Sequence, residues 1–149
     1  MQFNEKIYSV LEYKGRGLFS VAPHTSVFEA LQEMADKDVG ALAVLSGENL
    51  IGVFSERDYA RKVILLGKTS KDTRVEEVMS SPAAIVSPED TIEDCLRRMT
   101  EFRLRHLVVV EDGHPVGMVS IGDLVNRIIS AQVEIIDHLH SYIQGSYPG

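Results

Sequence analysis

The chain has 149 residues, 44% of them hydrophobic, and a single cysteine; that is enough apolar sequence for a core, which excludes disorder, and too few thiols for an internal disulfide. Fifteen Lys and Arg against 22 Asp and Glu give a formal charge of −7, which disfavours nucleic acid and anionic lipid, whose binding needs clustered cations on phosphate. No segment reaches the apolar length of a membrane span and the N-terminus MQFNEKIYSV lacks a signal-peptide pattern, so a cytoplasmic protein with no membrane partner is expected.

In chain order, Phe3, Ile7, Val10 and Leu11 predict an N-terminal helix stopped at Gly15 by that residue's tolerance of positive φ. Val27, Ala30, Leu31, Met34 and Ala35 fall on one face at helical spacing. Two short apolar runs follow, Ala41 to Leu45 and Leu50 to Phe54, flanking the turn residues Ser46 to Asn49, and these predict a hairpin. Ser55 then opens a helix carried by Tyr59, Ala60, Val63 and Ile64. A polar linker, LGKTSKDTR, contains Gly67 as a helix stop and Thr73-x-x-Glu76 as a capping box into VEEVM.

The pattern then restarts. Ile92, Cys95, Leu96 and Met99 predict a helix, Leu107 to Val110 and Pro115 to Val119 a hairpin around EDGH, and Ser120 a helix carried by Leu124, Val125, Ile128 and Ile129. Apolar residues continue beyond Ile129 at Val133, Ile135, Ile136, Leu139 and Ile143, up to Gly145. Ile129, Ile136, Leu139 and Ile143 approximate a 3,4 spacing that suits helix pairing, with Gln132 interrupting it, so a homodimer surface is expected there.

Shifting the chain by 65 residues aligns Val21 to Ile64 with Val86 to Ile129 without a gap. The identical pairs include Leu31/Leu96, Met34/Met99, Leu42/Leu107 and Val44/Val109 on apolar faces. They also include Gly52/Gly117, Ser55/Ser120 and Asp58/Asp123 where a strand gives way to a helix. By itself Ser-x-x-Asp before an apolar helix is a capping device. A glycine three residues ahead of each Ser adds a demand, because glycine within a strand marks close approach of another backbone or of a ligand.

This repeat, with G-apolar-apolar-S-x-x-D closing both hairpins, resembles the cystathionine beta-synthase (CBS) domain pair, or Bateman module, over about Ile7 to Ile129. The resemblance implies an α+β mixed fold: two helix, β-hairpin, helix copies packed with pseudo-two-fold symmetry, at residues 7–67 and 74–130, with a helical extension at 131–149. It implies a regulatory binder of adenosine nucleotides with no enzymatic activity. Asp58 and Asp123 would each accept from both ribose hydroxyls, with Ser55 and Ser120 near phosphate; an ionised carboxylate can take two such donors, and charge-assisted bonds are the strong ones. A 2′-deoxy ligand would forfeit one of them.

Family sites combine both copies. One cleft would join Ser120 and Asp123 with Lys14, Gly15, Leu18, Val39, Gly40, Ala41 and His106. The other would join Ser55 and Asp58 with Ser80, Ala83, Ala84, Leu104 and Arg105, with Arg57 nearby. Because Gly40-Ala41 aligns with Arg105-His106, and Lys14 adds a charge, the Ser120/Asp123 cleft is expected to be the tighter one. Two cations there suit AMP; the further charge of a triphosphate would call for more arginines or a metal. ADP, ATP, NAD and S-adenosylmethionine remain further candidates.

The enzyme class has little to stand on. Cys95 shares an apolar helix face, the i,i+2 spacing of His138 and His140 splits them around a helix, and neither a Walker loop nor a GxGxxG fingerprint follows a strand. The competing class is a ligand-free dimerisation scaffold. In either class the protein acts through an unidentified effector.

Overall fold

A computed structural model describes residues 4–15 and 17–143, with side chains through Ser141; Phe3, Gly145 and the Ile143 side chain lie outside the described residues. The first copy comprises β1 (Ser20–Val21), α2 (Val27–Lys37), β2 (Ala41–Ser46), β3 (Asn49–Ser55) and α3 (Glu56–Tyr59), which runs into a π-helical turn, Ala60–Ile64. The second comprises β4 (Ile85–Val86), α5 (Ile92–Phe102), β5 (His106–Glu111), β6 (His114–Ser120) and α6 (Ile121–Ile143). Short helices precede the copies: α1 (Ile7–Lys14) and α4 (Val75–Val78). The fold is α+β, with two three-stranded sheets in the orders β1-β2-β3 and β4-β5-β6.

The 65-residue offset survives in the geometry. β1 runs parallel to β2, β2 antiparallel to β3, and the register shift at Val44/Leu45 recurs at Val109/Val110 in the second sheet. Asp38 and Arg103, at equivalent ends of α2 and α5, both take φ near 54°.

Residues alternate across each central strand. Leu42 and Val44 of β2 pack with Val27, Ala30 and Met34 of α2, while Ala41 turns the other way, to a small cluster with Val53 of β3 and Val108 of the second sheet. β2 is therefore buried on both faces through Ala41–Val44. That explains its unbroken apolar run.

The lead-in helices exchange. Ile7, Val10 and Leu11 of α1, counted with residues 7–67 in the sequence division, are buried with Ile92, Cys95, Leu107 and Leu124 of the second copy. Val75 and Val78 of α4 are buried with Val27, Phe54 and Val63 of the first. Arg127 of α6 clasps α1: its guanidinium donates twice to the Glu5 carboxylate, both at 2.7 Å, and lies 4.9 Å from the Tyr13 ring centre.

Some local expectations are corrected. α4 starts at Val75, with the Arg74 N–H donating to Glu77, so the box sits one residue later than Thr73-x-x-Glu76. The Thr73 hydroxyl instead donates to the Thr69 carbonyl, and pairing of Thr25 and Thr73 with Val75 and Val27 fixes the register. Ile64 is exposed because the π turn, closed by Leu65 N–H to the Ala60 carbonyl, rotates it off the face that buries Val63. Ala35, Val125 and Ile129, expected on buried faces, are exposed too. Gly15 ends α1 at φ 97° and Gly67 takes φ 72° after the π turn. Among the described residues no helix is long and apolar enough to cross a membrane.

Candidate functional site

A cavity of about 620 Å³ opens where the copies meet. Three segments line it: Ser55 to Asp58 with Arg61 and Lys62, then Ser80 and Pro82 to Ala84, then Arg103 to His106, with Gly40 and Val53 completing the wall. The structure thus brings together Ser55, Arg57, Asp58, Ser80, Ala83, Ala84, Leu104 and Arg105, the residues grouped in the Ser55/Asp58 cleft.

Asp58 is 8% exposed and has both carboxylate oxygens engaged. Oδ2 accepts from the Ser55 N–H and hydroxyl, each at 3.0 Å, while the Ser55 Oγ accepts from the Asp58 N–H at 3.1 Å. This closes the capping box of α3. Oδ1 points elsewhere: it accepts from the Ser80 hydroxyl at 3.1 Å and pairs with the Lys62 ammonium at 3.2 Å. One oxygen holds the fold and the other meets two groups of the cavity wall.

The glycine ahead of this motif answers to backbone. A Cβ on Gly52 would stand 2.8 Å from the Ser80 carbonyl and 2.7 Å from the Met79 sulfur. Val53 and Ser80 exchange N–H to carbonyl bonds of 3.0 and 2.8 Å across that contact. Gly52 therefore lets the second copy's lead-in cross β3, and that crossing sets Ser80 beside Asp58. Gly117 stands likewise beneath Leu11, 3.0 Å from its added Cβ.

The equivalent carboxylate is occupied. Asp123 Oδ2 accepts from the Ser120 N–H at 2.8 Å and pairs with Lys14 Nζ at 2.6 Å, and Lys14 also donates to the Met118 carbonyl at 2.7 Å. Lys14 sits on the carboxylate itself, rather than free beside a phosphate position. Gly15 and Leu18 follow it toward β1; Val39 packs on the first core, Ala41 is buried between the sheets, and Gly40 lines the cavity beside Glu56 and His106.

The Ser55/Asp58 cavity gathers more positive charge than expected. Arg105 and His106 line the Ser55/Asp58 cavity, together with Arg57, Arg61, Lys62 and Arg103. Arg61, Lys62 and Arg103 escaped the sequence reading. Lys62 had a signal, its i,i+4 spacing from Asp58; Arg103 had none, because it enters the wall through the left-handed turn after α5. His106 stands on the seam. Burial holds its imidazole below the ordinary range, Asp123 and Asp58 oppose that, and Lys14 and Arg105 reinforce it. Cys95 is a core thiol, pushed up to about 12 chiefly by burial.

The CBS-domain profile matches residues 12–64 and 75–130, both copies of the repeat. The chain belongs to the CBS-domain family. Among relatives of this CBS pair, the mitochondrial CBS domain-containing protein CBSX3 of Arabidopsis thaliana is 39% identical over 127 residues, covering 82% of this chain. YhcV of Bacillus subtilis is 33% identical over 110 residues, covering 73% of this chain. The chain spans 62% of the length of the first and 78% of the second. Among solved structures, a protein with CBS domains from Burkholderia ambifaria is 41% identical with a TM-score of 0.82, covering 85% of this chain and 96% of that one. A CBS-domain protein from Agrobacterium tumefaciens is 30% identical with a TM-score of 0.78, covering 82% and 98%. The family is one of regulatory and signal-transduction modules.

Proposed function

We propose that this CBS pair binds an adenosine nucleotide between its copies and signals occupancy to an effector protein. Asp58 carries the reading. Its Oδ2 is committed to the helix cap, while its Oδ1 takes a hydroxyl and an ammonium from the wall of a cavity. A ribose diol offers the same kind of donor, so it can replace Ser80 and Lys62 at Oδ1 without undoing α3. In the second cleft the ammonium of Lys14 sits instead on the cap oxygen, Oδ2 of Asp123.

Calorimetric titration of AMP, ADP, ATP, NAD, S-adenosylmethionine and 2′-deoxy-AMP against the wild type, Asp58→Ala and Asp123→Ala tests this. AMP binding that is lost in Asp58→Ala, retained in Asp123→Ala and about tenfold weaker for the deoxy ligand is expected. Undiminished AMP affinity in both variants, each checked for a cooperative melt, overturns the ribose assignment.

A second reading rests on a separate observation. Val133, Ile135, Ile136 and Leu139 of α6 are each about half exposed or more, an apolar face that suits a homodimer. If none of these ligands binds, the module is a dimerisation scaffold.

A further inference from the structure

We infer that the Ser55/Asp58 cavity is built for a polyphosphate chain, and selects nucleoside triphosphates over monophosphates without a divalent cation. The inference rests on reading the cleft as a nucleotide site, and adds what the ligand carries beyond its sugar. Five basic side chains, Arg57, Arg61, Lys62, Arg103 and Arg105, line the cavity with His106, against two carboxylates, Glu56 and Asp58. Lys62 is spent on Asp58. The four guanidinium groups make no ion pair among the described residues.

Such crowding opposes the global charge. In a chain of net −7, four unpaired arginines on one concave wall repel one another, and low-dielectric walls focus their field on whatever enters. Arg57 and Arg61 stand four residues apart beyond the Ser55 cap, while Arg103 and Arg105 reach in from the α5 to β5 junction of the other copy. A ligand anchored at Asp58 is therefore flanked by cations from both copies. A dianionic monophosphate satisfies two of them; a tetra-anionic triphosphate matches all four, and guanidinium forks bind phosphate oxygens in bidentate fashion. Magnesium has no place in this scheme. The lining carboxylates are Asp58, already engaged, and Glu56, and a metal would cancel the ligand charge that the arginines recognise.

The test is calorimetry of the full chain in EDTA with AMP, ADP, ATP, sodium tripolyphosphate and orthophosphate, repeated for ATP with magnesium. ATP should bind about tenfold or more tightly than AMP, with ADP between them, and tripolyphosphate should bind where orthophosphate does not. Added magnesium should weaken ATP binding. In Arg61→Gln/Arg105→Gln, at exposed positions without ion pairs, the ATP-to-AMP affinity ratio should fall about tenfold. AMP binding as tightly as ATP, a requirement for magnesium, or an unchanged ratio in the double variant overturns the inference while leaving the nucleotide reading intact. Tripolyphosphate binding without any nucleoside preference does the reverse, sustaining the anion site and ending the adenosine assignment.

Discussion

At the scale of single residues, the site depends on how one side chain divides its bonds. Asp58 caps α3 through Oδ2 and faces Ser80 and Lys62 through Oδ1, so the cap leaves one oxygen turned to the cavity wall. Gly52 serves the same place indirectly. Gly52→Ala puts a methyl into the Ser80 carbonyl, a backbone atom that cannot swing aside, and should destabilise the protein by about 1–3 kcal/mol, read as a lower denaturation midpoint in urea. An unchanged midpoint would show that the crossing strand yields. His106 supplies a pH dependence. Its folded-state pKa is held below the unfolded value by burial, so its contribution is complete above the ordinary imidazole value of about 6.5 and is lost as pH falls from there through the folded value. The melting temperature should drop across that window in the wild type and less in His106→Gln; parallel profiles would remove His106 as the cause.

At the scale of elements, the repeat was legible because its signals are local. Apolar spacing, turn residues and the Ser-x-x-Asp caps placed α2, β2, β3 and α3 and their counterparts α5, β5, β6 and α6, since each element's burial face is written in its own periodicity. The lead-in helices were legible as elements but not as to partner. α1 carries Ile7, Val10 and Leu11 whichever core receives them, and only the fold delivers them to Ile92 and Leu107 of the second copy. The π turn was illegible for a related reason. One additional residue in a helical turn leaves composition unchanged and moves Ile64 from core to surface.

At the scale of the whole molecule, two features point outward: the cation-lined cavity between the copies and the unpaired face of α6. Ile136 is 61% exposed and Leu139 54%, large apolar side chains that a second copy can bury at roughly 25 cal/mol per Å². The protein should sediment as a dimer, and Ile136→Asp should shift it to the monomer mass with its melt unchanged, because the residue touches no core. A wild-type monomer, or a variant of unaltered mass, would detach α6 from assembly.

Sequence by itself determined the duplication, the class of fold, the family and the two acidic motifs, because each is carried by residues close together in the chain or repeated at a fixed interval. Tertiary structure alone decided which charges share a cavity. Arg57 and Arg105 lie in different copies, and no periodicity reports that a left-handed turn after α5 will carry Arg103 to the same wall. Nor does sequence tell that Lys14, a free cation on paper, will already be bonded to Asp123. Local patterns fix how each segment folds; the field inside a cleft is a sum over groups that only packing brings within reach of one another.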